Sequence, residues 1–208
     1  MRPVIELHRA WRLITVAACA LLMLGCSSSQ HQRDAELHVQ SRARSGGTTP
    51  AGFTSGMYSV QGKSAITVLL TDGPAEAPRR ALIVRMFWRP KAAATPLDET
   101  ATNATVQYIV FGDRDADGKG KAPVGIYSGG GFLYPESEVG MTNLQANLWQ
   151  ATLTLADASE GFEDTLGPSI LTGRFTARRD DEGIVEAIRQ VNIAVSEALG
   201  VPRFVRAE

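Results

Sequence analysis

Hydrophobic and polar residues alternate with a period of two through the middle of the chain, which is the pattern of β-strands that bury one face. In the segment 64–71, for example, Ile66 and Val68 share one face. The same pattern, bounded by glycine, proline or aspartate, predicts strands over 64–71, 81–89, 105–111, 124–127, 132–134, 143–155 and 170–178. In the longest of these the alternation changes phase at Trp149 and Gln150, which predicts a β-bulge.

The last predicted element is an amphipathic helix over residues 182–199. Its apolar residues recur at steps of three or four and so form one stripe, which consists of Ile184, Ile188, Val191, Val195 and Leu199. Asp180 or Asp181 can cap the start, and Gly200 stands where a left-handed C-terminal cap belongs. Because the polar face carries a single basic residue, Arg189, we expect the stripe to pack on a sheet and not on a membrane surface.

Together these elements predict a mainly β (β-rich α+β) domain. We expect an antiparallel sandwich or a strongly curved sheet of about seven to eight strands with one C-terminal helix. The domain is placed at 56–208, a length that suits one folding unit. The preceding segment 26–55 is polar and rich in turn-forming residues, so it is interpreted as a flexible tether. A short helix over 34–40 would bury almost nothing.

The first 25 residues combine a basic start with a short apolar run. Three arginines precede the run, which extends from Leu13 to Leu24. A membrane-spanning helix needs about 20 apolar residues, so this run has the length of a signal-peptide core instead. It ends in the sequence Leu22-Met23-Leu24-Gly25-Cys26, which resembles the lipobox of bacterial lipoproteins.

The lipoprotein resemblance implies that residues 1–25 are removed and that Cys26 becomes the N-terminus. In that family the cysteine thiol carries a diacylglyceryl group and its amine a further acyl chain, such as palmitate. Two lipid signals suffice for stable anchoring, so the implied partner is a membrane in the bacterial cell envelope. The family's sorting rule retains proteins with aspartate after the cysteine at the inner membrane. Ser27 therefore favours the periplasmic face of the outer membrane.

Removal of the signal also changes which chemistry is available. Of the two cysteines, Cys19 leaves with the signal and Cys26 is consumed as the anchor, while all three histidines precede residue 53. Nucleophilic triads need an imidazole or a thiol, and structural zinc sites draw on cysteine and histidine. We therefore expect a protein that is not an enzyme. What the residue types leave open is carboxylate chemistry or a hard-metal site.

The charge balance excludes another class of partner. Loss of the signal removes three arginines and one glutamate, which changes the formal charge from −1 to −3. Such a mild balance gives no sign of nucleic-acid binding or of a polybasic membrane-binding segment.

One loop carries a metal-binding pattern. Asp113, Asp115 and Asp117 alternate and are followed by Gly118, as at the start of an EF-hand calcium loop. The twelfth position is Val124 where that loop needs glutamate, and predicted strands flank the segment instead of helices. The alternatives are weak Ca²⁺ binding by the three carboxylates and a solvated hairpin loop. No other cofactor is expected.

Three further groups of residues have both a functional and a structural interpretation. The glycine run 128–131 either admits a ligand close to the backbone or forms a bend between strands. A set of aromatic residues either forms a sugar-binding platform or belongs to the core and sheet faces: Trp88, Tyr127, Phe132, Tyr134 and Trp149. Carboxylates in two loops are either a glycosidase pair, which needs separations of about 5–10 Å, or surface charges: Glu136, Glu138, Glu160, Glu163 and Asp164.

The sequence thus predicts a lipid-anchored bacterial envelope protein with a non-catalytic structural or interaction role. Its expected partners are the membrane, through Cys26, and an envelope protein or glycan. The first alternative is a ligand-binding module for calcium or a glycan. The second is a carboxylate-based hydrolase.

Overall fold

The computed structural model describes residues 35–43, 46–62, 65–89, 102–113 and 121–202. Within these ranges the chain forms nine strands and one helix. The strands are β1 (Ala35–Ser41), β2 (Thr48–Pro50), β3 (Ser55–Gln61), β4 (Ala65–Thr71), β5 (Arg80–Met86), β6 (Ala104–Phe111), β7 (Val124–Pro135), β8 (Asn143–Ala158) and β9 (Ser169–Arg179), and the helix is α1 (Gly183–Leu199). This confirms the prediction of a mainly β fold with one C-terminal helix.

The nine strands form one sheet, in the order β2-β1-β9-β3-β4-β5-β6-β7-β8. Because β8 also pairs with β9, the strands from β3 to β9 close into a continuous circle. The circle is antiparallel except between β3 and β9, which make a short parallel contact at Met57 and Tyr58. The observed fold is therefore a curved sheet that closes on itself, with nine strands where the sequence predicted seven or eight.

The main hydrophobic core fills the inside of this closed sheet. Every second residue of a strand faces inward, as Leu82, Val84 and Met86 do on β5. The segment before β3 adds Phe53, whose ring meets that of Tyr108 edge-on at a centroid distance of 6.3 Å. This one-sided burial is the physical cause of the alternation seen in the sequence.

A second hydrophobic core lies between the outer face of the sheet and α1. Leu69, Ile83 and Ile109 contribute from the strands, and the helix contributes its predicted stripe. The Asp180 carboxylate accepts a hydrogen bond from the Gly183 N–H at 2.8 Å, which supports the helix start. Gly200 ends the helix in the left-handed region, with φ = 72°. The helix prediction is confirmed in its stripe and its C-terminal cap.

The predicted tether, 26–55, is corrected in the part that the structure describes, which begins at Ala35. There β1 pairs antiparallel with β9 along its whole length. The side chains of Ala35, Leu37 and Val39 are buried inside the sheet, so the segment that could have been a short helix is a strand. One consequence is that the folded domain does contain a histidine, because His38 lies on the exposed face of β1.

The two short strands predicted around the glycine run are one continuous strand, β7. The glycines are needed because β8 passes very close: a Cβ on Gly129 would overlap the carbonyl oxygen of Thr152. A Cβ on Gly131 would likewise lie 2.6 Å from that of Ala151. The run is therefore a place of close strand packing, which is the structural interpretation of these glycines.

Candidate functional site

Phe132, Tyr134 and Trp149 lie on the outer face of the sheet, and Trp88, which follows the end of β5, packs against Phe132. We call these four residues the aromatic surface. Phe132 on β7 lies directly opposite Trp149 on β8, and the Trp88 ring meets the Phe132 ring edge-on at 5.8 Å. Tyr134 is two residues beyond Phe132 and so shares its face. The exposed fractions of Trp149 and Tyr134 are 58% and 54%.

The predicted bulge in β8 is present and brings Trp149 to the surface. The pairing with β9 shifts between Leu148 and Ala151, which both point into the core. Two residues, Trp149 and Gln150, therefore occupy the space of one, and both are exposed. Gln150 adopts φ = 45°, a conformation that few non-glycine residues take. The bulge thus places a large aromatic ring in solvent.

Asn103 fixes the position of Trp88 relative to β7. Its side chain is fully buried and bonds both backbone groups of Leu133: Oδ1 accepts from the N–H at 2.7 Å, and Nδ2 donates to the carbonyl at 2.8 Å. Nδ2 also donates to the Trp88 carbonyl at 3.3 Å. No pattern in the sequence predicted this role of Asn103. The one feature of the sequence that could have indicated it is a polar residue directly before an apolar strand.

Polar groups flank the aromatic surface in a row that crosses four strands. The row runs across neighbouring strands in the order Tyr134 (β7), Asn147 (β8), Arg174 (β9) and Glu36 (β1). Each residue lies directly opposite the next one. The Arg174 guanidinium is also within 3.1 Å of the Glu136 carboxylate, so its charge is largely balanced. The surroundings of the aromatic rings are therefore polar but nearly neutral.

This arrangement suits binding. Large aromatic side chains that are exposed to water do not gain the favourable free energy of burial. A partner that covers them gains that free energy on binding. Tyrosine and tryptophan also carry a polar group, which lets them lie at a boundary between apolar and wet surroundings. The aromatic surface is the strongest candidate site on the described part of the chain.

The sequence grouped Tyr127 with these residues, but the structure separates it from them. Tyr127 faces the core and its hydroxyl donates a hydrogen bond of 2.5 Å to Asp164 Oδ1. The same oxygen accepts from the backbone N–H groups of Leu166 and Gly167. Burial raises the pKa of Tyr127, and the Asp164 carboxylate raises it further. This contact orders the loop between β8 and β9.

The Asp164 contact predicts a pH dependence of stability. Burial alone would raise the pKa of Asp164, but the hydrogen bonds from Tyr127, Gly167 and Leu166 outweigh it and lower the pKa below its ordinary value. The stabilisation is therefore complete above a pH of about 4 and is lost as the pH falls through the lowered value. We expect Asp164→Asn, which keeps the acceptor oxygen but not the charge, to lose less stability on acidification than the wild type. Urea unfolding between neutral and acid pH checks this; equal losses in both proteins would contradict it.

The carboxylates of the two loops do not form a pair. Glu136 and Glu138 follow the end of β7, whereas Glu160 and Glu163 follow the end of β8. These loops stand at opposite ends of β8, whose 16 residues span about 50 Å. The separation of about 5–10 Å that a glycosidase needs is therefore not available between them.

The calcium pattern is only partly visible. Asp113 is exposed at the end of β6, and Asp115 and Asp117 lie outside the described residues. The segment joins two paired antiparallel strands, since Phe111 lies opposite Val124. Among the residues that the structure describes, no group of three histidine, cysteine, aspartate or glutamate side chains could hold a metal ion. Calcium binding at Asp113, Asp115 and Asp117 stays a prediction.

Compared with protein-family models, curated proteins and solved structures, the chain matches none. Among the described residues, no helix has the length and apolar content that crossing a membrane requires.

Proposed function

We propose that this chain is a lipid-anchored protein of the bacterial cell envelope that acts by binding through its aromatic surface and not by catalysis. The observation that carries the proposal is the exposure of Trp149 and Tyr134 beside the packed pair of Trp88 and Phe132. The lipobox-like sequence that ends at Cys26 supports the anchor. A rigid sheet that presents aromatic side chains to solvent is typical of an interaction surface.

A glycan-binding module is the second candidate, and one contact favours it. The Asn147 amide lies directly opposite Tyr134, so a sugar stacked on the tyrosine ring would have an amide within reach. An amide offers both donors and an acceptor to hydroxyl groups. A glycan would then occupy the same surface as any other partner.

The test measures whether the aromatic surface is covered in the cell. With Cys26 acylated, a mature domain has no other thiol, so one introduced cysteine reports its own surroundings. Thr152→Cys puts a thiol at the next outward position of β8 after the bulge, and Val185→Cys puts one on the exposed face of α1. We expect a hydrophilic maleimide to label the first thiol several-fold more slowly in intact envelopes than in detergent, and the second at one rate in both.

A further variant ties the protection to the aromatic residue. Trp149→Ser in the Thr152→Cys background should restore fast labelling in envelopes, because the partner loses its main contact. Equal rates in envelopes and detergent for Thr152→Cys would mean that nothing covers the aromatic surface and would overturn the proposed function.

A further inference from the structure

We infer that the aromatic surface docks on the lipid bilayer, at its interface with water, beside the protein's own lipid anchor. This inference rests on the proposed function, because it needs the acyl chains at Cys26. It names the partner of the same surface. The observations that carry it are the length of chain between the anchor and the sheet, and the place where that chain enters the sheet.

The tether is much shorter than the sequence pattern indicated. Because β1 begins at Ala35, only the eight residues 27–34 lie between it and Cys26. The nine Cα–Cα steps from Cys26 to Ala35 reach at most about 30 Å when fully extended. As a flexible coil the same length has a root-mean-square span of about 15–18 Å. The start of β1 is therefore held close to the bilayer that contains the acyl chains.

The chain enters the sheet near the aromatic surface. Glu36, the second residue of β1, belongs to the row that continues through Arg174 and Asn147 to Tyr134. Three strand spacings of about 4.8 Å separate the two ends of this row, which is about 15 Å in all. All four side chains lie on the outer face of the sheet. The anchor thus tethers the side of the domain that carries the exposed aromatic rings.

The side chains on this side suit a lipid interface. Tryptophan and tyrosine concentrate where membrane meets water, because the ring enters the apolar region while the N–H or O–H stays among the headgroups. Arg174 and Arg178 are exposed on the same face of β9, and their present partners are the surface carboxylates Glu136 and Asp180. Exposed ion pairs of this kind are worth little, so lipid phosphates can compete for both arginines.

Tryptophan fluorescence provides a direct test. The chain has three tryptophans, and Trp11 leaves with the signal, so emission from the mature protein comes from Trp88 and Trp149 alone. The acylated mature protein, which begins at Cys26, is reconstituted into vesicles of phosphatidylethanolamine and phosphatidylglycerol, with or without bromine on the acyl chains near the headgroups. Since interfacial side chains enter by about 5–10 Å, we expect a blue-shifted emission that brominated lipid quenches and aqueous acrylamide does not.

Single-tryptophan proteins locate the contact. Trp88→Phe leaves Trp149 as the reporter, and Trp149→Phe leaves Trp88. Both should be quenched by brominated lipid, Trp149 more strongly because it is more exposed. Emission that acrylamide quenches equally in vesicles and in detergent, with no effect of bromine, would overturn the inference.

The outcomes separate this inference from the proposed function. Mass spectrometry of the N-terminal peptide first establishes whether Cys26 is acylated. Protection of the Thr152→Cys thiol in envelopes, without lipid quenching in vesicles, would retain binding and exclude the bilayer as the partner. If glycan fragments of the cell wall then shift the tryptophan emission without vesicles, the glycan is the occupant and the bilayer inference is wrong.

Discussion

Gly173→Ala should lower the free energy of unfolding by about 3–5 kcal/mol, the range of the most disruptive single substitutions. Gly173 lies on β9 with φ = 136°, a conformation that side chains rarely adopt. A Cβ there would overlap the carbonyl oxygen of Glu36 and would lie 2.9 Å from Cα of Leu37. Both are backbone atoms of β1, so β1 must move away from β9. Urea unfolding of the purified full-length protein measures the loss.

A matched glycine substitution isolates the cause of this loss. Gly52 has no atom within 4 Å of an added Cβ, so Gly52→Ala should change stability by no more than about 1 kcal/mol. If Gly173→Ala were as stable as Gly52→Ala, β1 could not be paired with β9 as described. The short tether and the position of the anchor would then lose their basis as well.

The local elements could be predicted because burial is one-sided along most strands. Strands β4, β5 and β6 and the helix α1 bury one face each, so their apolar positions recur with the period of the element. The bulge could be predicted for the same reason, since Leu148 and Ala151 must both face inward. These features depend on residues that are close in sequence.

Long-range pairing could not be predicted from the same patterns. In strand β1, Ala35, Leu37 and Val39 do alternate with polar residues, but this short pattern stands in a segment rich in serine, glutamine and arginine, whose composition favoured a tether. Its partner is β9, far along the chain, and no local pattern shows that pairing. Closure between β8 and β9 likewise depends on register and curvature, which local periodicity does not encode.

The aromatic residues of the candidate site could be grouped from the sequence, with binding and core packing as alternatives, but their arrangement could not be predicted. Residues on one strand share a face when their numbers differ by an even amount, so Phe132 and Tyr134 face outward together while Tyr127 faces the core. The glycines between Tyr127 and Phe132 predicted two separate strands, and faces cannot be counted from one strand to another, so the opposite orientations of these two residues were not predicted. Trp88 lies beyond the end of β5, and only the contacts of Asn103 show where its ring stands.

Asn103→Leu should lower the free energy of unfolding by about 2–6 kcal/mol, since two backbone groups would each lose a partner at a cost of about 1–3 kcal/mol. Leucine has a similar volume, so it leaves the buried N–H and carbonyl of Leu133 without the hydrogen bonds that Asn103 provides. The carbonyl of Trp88 loses its contact too, which frees the Trp88 ring from Phe132. Thermal or urea unfolding measures the stability.

Tryptophan emission of the same variant under native conditions measures the second effect. In a Trp149→Phe background, where Trp88 is the reporter of the mature chain, Asn103→Leu should shift the emission to longer wavelength as the ring becomes more hydrated. The control is Asn143→Leu, at an exposed position of β8, which should change stability by no more than about 0.5 kcal/mol. If Asn103→Leu lost stability without the emission shift, Asn103 would support the fold alone. The position of Trp88 would then depend on its contact with Phe132.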